Sequence, residues 1–284
     1  MSIIIYKDRQ DDFFPERELK MTETTPTVLI TGASTGLGAV YADRFARRGH
    51  NLVLVARDSA RMETLAARLR EQCSVEVDVL TADLTKEEDL DVVAKRLETD
   101  DRITVLVNNA GMSLSGTFTT QTPADIDRLI AVNLTAVVRL ARAVAPRLAK
   151  AGTGAIINIS SVVGLAPEFG MTIYGATKAF VLFLSQGLSL ELGPQGVYVQ
   201  AVVPSATRTE IWERSGKDVN TMTGVMDPGE LVDAALTGFD RREAVTVPPL
   251  HEESLWTAHQ QSRQAMLTEY GQEHAAPRYL SDTK

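Results

Sequence analysis

A glycine cluster at residues 31–38, TGASTGLG, constrains this chain's fold more than any other feature. VLI (28–30) before it reads as a buried strand. LGAVYADRFARR (37–48) after it carries apolar residues at helical spacing and stops at Gly49. Gly32, Gly36 and Gly38 permit a tight turn and close approach to the backbone. A helix starting there offers free N–H groups and the positive end of its dipole, which suits a phosphate. A merely structural turn does not account for three glycines in so short a run.

The same rhythm continues. NLVLVA (51–56), VEVDVLTA (75–82), ITVLVNN (103–109), GAIINIS (154–160), GVYVQAVVP (196–204) and AVTV (244–247) read as strands. Between them the spacing predicts helices over 58–72 with Asp58 as N-cap, from Thr85 with Glu88 completing a capping box, and from Pro123 to Lys150, where Pro146 kinks or ends the helix. Further helices are expected over 171–192, apolar nearly all round, over 230–239, and from Glu253 to Tyr270. Alternating strands and helices with near-continuous apolar strands imply a parallel sheet covered on both faces. The expected fold is α/β, a doubly wound Rossmann-type sheet of about seven strands in the order 3-2-1-4-5-6-7. Residues 26–250 form the expected nucleotide-binding catalytic domain, with 205–226, which has no clean period, as a loop covering the substrate. Residues 1–25 read as a poorly ordered extension or docking arm in which Met21 is an alternative start, and 251–284 as a tail.

Composition narrows the partners. A net charge of −8 argues against nucleic acid and against an anionic membrane surface. The one cysteine, Cys73, cannot form an intrachain disulfide. No continuous apolar run approaches the ~20 residues of a membrane span, and MSIII is too short for a signal segment, so a cytoplasmic location is expected. His251, Glu252, Glu253 and His259 cluster near the tail without the spacing of a metal site, and no metal is expected.

Two features carry chemistry. The second strand ends in Ala56-Arg57, where a carboxylate would bond the ribose hydroxyls of NAD; an arginine there can fork onto a 2′-phosphate, so NADP(H) is expected over NAD(H). Tyr174 and Lys178 are four apart on one helix, so they share a face. A nearby ammonium lowers a phenol's pKa and makes it a better acid/base, although such a pair also reads as a packed tyrosine beside a surface lysine. Ser161 in NISS ends the fifth strand, Asn133 lies in the long helix, and NNAG (108–111) closes the fourth strand.

Together with the TG-x-x-x-G-x-G turn, these residues resemble the short-chain dehydrogenase/reductase family over about Thr27 to Val247. The resemblance implies Tyr174 as acid/base and Lys178 as the group that depresses its pKa and holds the nicotinamide ribose. It implies Ser161 on the substrate oxygen and Asn133 fixing a water in a proton relay from Lys178. Gly32, Ser34, Thr35, Gly36, Leu37 and Gly38 would cradle the cofactor. Arg57 would meet the 2′-phosphate, Asp83 and Leu84 the adenine, and Asn109, Ala110 and Gly111 the cleft floor. Pro204, Thr207 and Thr209 would lie near the carboxamide. One departure stands out: Ser205 replaces the family's glycine, and strain follows if that position needs a positive φ.

Hydride transfer between NADP(H) and a carbonyl or secondary alcohol is the implied reaction. An apolar ketone or aldehyde is favoured by Met112, Leu114, Val162, Val163, Leu165, Phe169, Ile211, Trp212, Met222 and Met226, which could equally pack the loop onto the sheet. A non-catalytic NADP(H) sensor and a dehydratase or epimerase are the rival readings. By resemblance, a homodimer or homotetramer pairs helices 123–150 and 171–192, with Phe180, Phe183, Leu184 and Leu188 on the outer face or on their own sheet.

Overall fold

The structure is a computed structural model and describes residues 25–214, 216 and 218–280. The expected extension over 1–25, apart from Thr25, and Met21 within it lie outside the described residues, as do 281–284 of the tail. One seven-stranded parallel sheet has the expected order β3-β2-β1-β4-β5-β6-β7. Its strands are β1 (Thr27–Thr31), β2 (Asn51–Ala56), β3 (Val77–Thr81), β4 (Ile103–Asn108), β5 (Ala155–Ile159), β6 (Tyr198–Val202) and β7 (Val245–Thr246). The intervening helices are α1 (Gly36–Arg47), α2 (Ser59–Cys73), α3 (Glu87–Thr99), α4 (Pro123–Ile130), α5 (Val137–Ala151), α6 (Thr172–Leu192), α7 (Ile211–Arg214) and α8 (Pro228–Asp240); α9 (Glu253–Leu267) follows β7.

The period of two along each strand feeds two cores. On β1, Val28 and Ile30 point into a layer with Tyr41 and Phe45 of α1, Met62 and Leu69 of α2 and Val232 and Leu236 of α8. Leu29 points the other way, onto Val93 and Leu97 of α3 and Leu140 and Val144 of α5. All these side chains are essentially fully buried, each contributing about 1.5–3 kcal/mol where it is a Val, Leu, Ile, Met or Phe. Parallel pairing brings every strand's C-terminal end to one edge, where the connecting loops build the site.

Local readings hold unevenly. Asp58 caps α2, accepting from the Arg61 N–H at 3.0 Å. The capping box at Thr85 does not form. Thr85 Oγ1 instead donates to Asp83 Oδ1 at 2.8 Å, and α3 starts at Glu87. The long helix is continuous over Pro123–Ala151, but Ala131–Ala136 widens into a π turn. Pro146 does not end it; α5 stops at Gly152, whose φ is 69°. By length and apolarity this helix could cross a membrane, yet half of its most apolar window is buried inside the fold, as in a core helix. The tail helix ends at Leu267, three residues before the expected Tyr270.

Candidate active site

A cleft of about 1010 Å³ opens along the C-terminal edge of the sheet. At one end lies the glycine turn. Gly32 and Gly36 take positive φ, 67° and 55°. A Cβ at Gly32 would lie 2.9 Å from Ala110 Cα, and one at Gly36 3.1 Å from Thr209 Cγ2. Thr35 precedes α1 in extended geometry and its side chain makes no capping bond. The first N–H groups of α1 therefore lack a side-chain acceptor beside a cradle that side chains would fill, which fits a bound pyrophosphate. Ser34, Thr35 and Leu37 line the same end.

Gly38 does not line the cleft. It lies behind the turn, where a Cβ would stand 2.3 Å from the Gly32 carbonyl oxygen and 2.5 Å from Asn109 Nδ2. Its lack of a side chain lets Asn109 donate to the carbonyls of Thr31 at 2.8 Å and Gly32 at 3.2 Å. Thr31 Oγ1 accepts from the backbone N–H groups of Asn109 and Ala110, both at 3.0 Å. The loop after β4 is thus stitched to the glycine turn, with Asn109, Ala110 and Gly111 on the cleft wall.

Arg57 is exposed at the end of β2 and lines the cleft with Asp58, Asp83 and Leu84. Burial works against ionisation of Asp83, but hydrogen bonds from Thr85 and the charges of Arg57 and Lys86 hold its pKa below the usual carboxylate range. The corner therefore presents a guanidinium beside an ionised carboxylate that is already engaged.

The other end carries Ser161, Tyr174 and Lys178. Two glycines that sequence reasoning missed bring them together. A Cβ at Gly164 would stand 2.6 Å from the Ala179 amide nitrogen, and one at Gly175 2.8 Å from the Val163 carbonyl oxygen. The turn after β5 can press onto α6 only because both are glycine. The available signal was Gly175, a glycine inside a helical pattern. Ser161 Oγ donates to the Pro204 carbonyl at 3.3 Å and accepts from the Val163 N–H at 3.4 Å, on the same cleft wall as Tyr174. Lys178, 5% exposed, donates from Nζ to the Ile159 carbonyl at 2.8 Å and lies 5.7 Å from the Tyr174 ring centroid.

The electrostatics depart from expectation. Burial pushes the Tyr174 phenol up to about 12, with Ser161 pulling the other way. Burial lowers Lys178 to about 8. The expected depression of the phenol by the ammonium is absent from this arrangement, in which desolvation dominates both groups.

Asn133 is fully buried in the π turn and does not line the cleft. Its Oδ1 accepts from Met112 N–H at 2.9 Å, and its Nδ2 donates to the Met112 carbonyl at 3.0 Å and to Thr177 Oγ1 at 3.1 Å. Both amide hydrogens are thus committed inside the protein.

Pro204, Thr207 and Thr209 border the cleft, and Trp212 Nε1 donates to the Thr207 carbonyl at 2.8 Å. Ser205 has no positive φ, so the departure from glycine carries no such strain. Met112, Val162, Val163, Phe169, Ile211, Trp212 and Met222 line the apolar end; Leu114, Leu165 and Met226 do not. Leu165 is turned outward, and Met226 is engaged through its backbone with Ala206 and Arg208. Arg128, Met171 and Glu210 also line the cleft and had no distinguishing sequence pattern. Among the described residues, no group of three or more His, Cys, Asp or Glu is placed to hold a metal.

Residues 26–220 match the family described as short chain dehydrogenase. The very-long-chain 3-oxoacyl-CoA reductase of Anas platyrhynchos is 36% identical over 188 residues, covering 64% of this chain and 60% of the relative. The chain thus spans only about three fifths of that relative's length. An uncharacterised oxidoreductase of Staphylococcus saprophyticus is 33% identical over 77% of this chain and 93% of its own. Among solved structures, a short-chain dehydrogenase from Sphingobium yanoikuyae in complex with NADPH is 64% identical, covers 90% of this chain and 100% of that chain, and has a TM-score of 0.89. The bulky-bulky ketone specific alcohol dehydrogenase from Comamonas testosteroni is 60% identical, covers 90% and 99%, and has a TM-score of 0.85.

Proposed function

Because the chain belongs to the short-chain dehydrogenase/reductase family, we propose that it is an NADP(H)-dependent reductase of bulky apolar ketones or aldehydes, running in reverse on the corresponding alcohols. The observation that carries the reading is the meeting of Ser161, Tyr174 and buried Lys178 at the apolar end of a cleft whose other end holds Arg57. The cofactor-bound Sphingobium structure and the ketone specificity named for the Comamonas enzyme support it.

When bound, NADPH supplies the hydride. Gly32, Gly36 and the N-terminus of α1 hold its pyrophosphate, and Arg57 meets its 2′-phosphate and favours it over NADH. The Ser161 hydroxyl orients the substrate oxygen. The Tyr174 phenol, held protonated by burial, donates its proton to the alkoxide as charge develops there. The Lys178 ammonium adds positive charge beneath the phenol and bonds the nicotinamide ribose. Asn133 positions Met112 at the pocket wall. Met112, Val162, Val163, Phe169, Trp212 and Met222 receive the two substituents of the ketone.

The same reading places the protein in the cytoplasm as a homodimer or homotetramer. Phe183 and Phe180 of α6 are 80% and 40% exposed, an apolar surface suited to a second copy, whereas Leu188 packs into its own core. A panel of ketones graded by the size of both substituents, assayed with NADPH and NADH, tests the reading. Turnover of the bulkier members with NADPH is the expected result. Turnover confined to small polar carbonyls, or equal efficiency with NADH, contradicts it.

A further inference from the structure

We propose that Arg61 and Glu210 form a strap across the cleft that sets how fast a bound dinucleotide leaves. The inference rests on the NADP(H) reading above. Arg61 stands in the first turn of α2, where its backbone N–H donates to Asp58 Oδ1 at 3.0 Å and its Nε lies 3.3 Å from Asp58 Oδ2. These contacts fix it at the corner that carries Arg57. Its Nη1 donates to both carboxylate oxygens of Glu210, at 2.7 and 2.8 Å.

Topology gives this contact its meaning. Arg61 follows β2 and Glu210 follows β6, and β1, β4 and β5 lie between those strands in the sheet. A bridge between the two connections therefore passes over the C-terminal ends of the intervening strands, where the cleft opens. Glu210 itself lines the cleft. The preceding residue, Thr209, presses on the glycine turn at Gly36. The segment after β6 is thus anchored at two points, over the phosphate cradle and at the first turn of α2. The pair is part-exposed, with side chains 51% and 37% accessible, so it shifts an equilibrium or a rate by only about two- to fivefold. That strength suits a strap that opens on each exchange of cofactor.

The test is NADPH release followed by stopped-flow fluorescence in the wild type, Arg61→Ala, Glu210→Gln and the double variant. Each single variant is expected to release NADPH about two- to fivefold faster. The double variant should match the singles rather than multiply their effects, because each single variant already breaks the Arg61–Glu210 bridge. Adenosine 2′,5′-bisphosphate, which lacks the nicotinamide half, should bind all four proteins equally. Wild-type release rates in the singles, or multiplicative effects in the double, would overturn the strap. Weakened bisphosphate binding in Arg61→Ala alone would overturn it in favour of Arg61 as a direct phosphate ligand. A wild type that does not bind NADPH would instead overturn the cofactor reading, and the strap with it.

Discussion

The carboxamide of Asn133 pairs with both backbone polar groups of Met112, accepting from its N–H at 2.9 Å and donating to its carbonyl at 3.0 Å. Two segments are locked by this exchange: the π turn of the long helix and the loop that leaves β4 for the cleft. Asn133→Ala leaves the part-buried Met112 N–H and carbonyl without this partner, at a cost of about 1–3 kcal/mol. A lower Tm and reduced turnover, with the fold retained by circular dichroism, are expected. An unchanged Tm would remove the architectural role.

Lys178 predicts a pH dependence. Its ordinary pKa of 10.5 is lowered to about 8 by burial, while Tyr174 is held up near 12. Rising pH therefore removes the ammonium first. The kcat/KM for ketone reduction should fall above about pH 8, with the phenol still protonated. A profile flat to about pH 10 would show that the ammonium is not needed.

Stability carries the same signature with its own sign. Between about pH 8 and 10.5 the folded state binds fewer protons at Lys178 than the unfolded state, so stability rises with pH across that window. Below it, burying the charge costs up to about 3 kcal/mol. Lys178→Met should raise Tm at neutral pH while abolishing turnover. A variant less stable than the wild type at neutral pH would show that the bond to the Ile159 carbonyl outweighs desolvation.

Arg57 sits exposed at the end of β2, where it lines the cleft together with Asp58 and Asp83. Losing a charge-assisted bond to the 2′-phosphate costs roughly 1.5–3 kcal/mol, or about ten- to a hundredfold. Arg57→Ala should raise the KM for NADPH by that factor and leave the KM for NADH nearly unchanged. Equal effects on the two cofactors would assign Arg57 to folding instead.

What the sequence made legible depended on how local its causes are. The apolar strands, the tight turn at Gly32 and Gly36 and the Asp58 cap are written in neighbouring residues, and they appear as read. The π turn is not, because it is set by a partner in another loop, Met112. Nor is the need for glycine at 164 and 175, which comes from the approach of one segment to another. The Thr85 capping box failed because Asp83 competes for the same hydroxyl. The pairing of Tyr174 with Lys178 was legible from their spacing, but the sign of the phenol's shift was not, since burial is a property of the whole fold.

The central claim, that Tyr174 is the acid of an NADPH-linked ketone reduction, is tested most directly by comparing wild type and Tyr174→Phe on one bulky ketone, with NADPH affinity measured on both. The expected result is a loss of turnover of about 10²–10⁴-fold with NADPH affinity within about twofold of wild type. Turnover that survives the substitution would contradict the assignment.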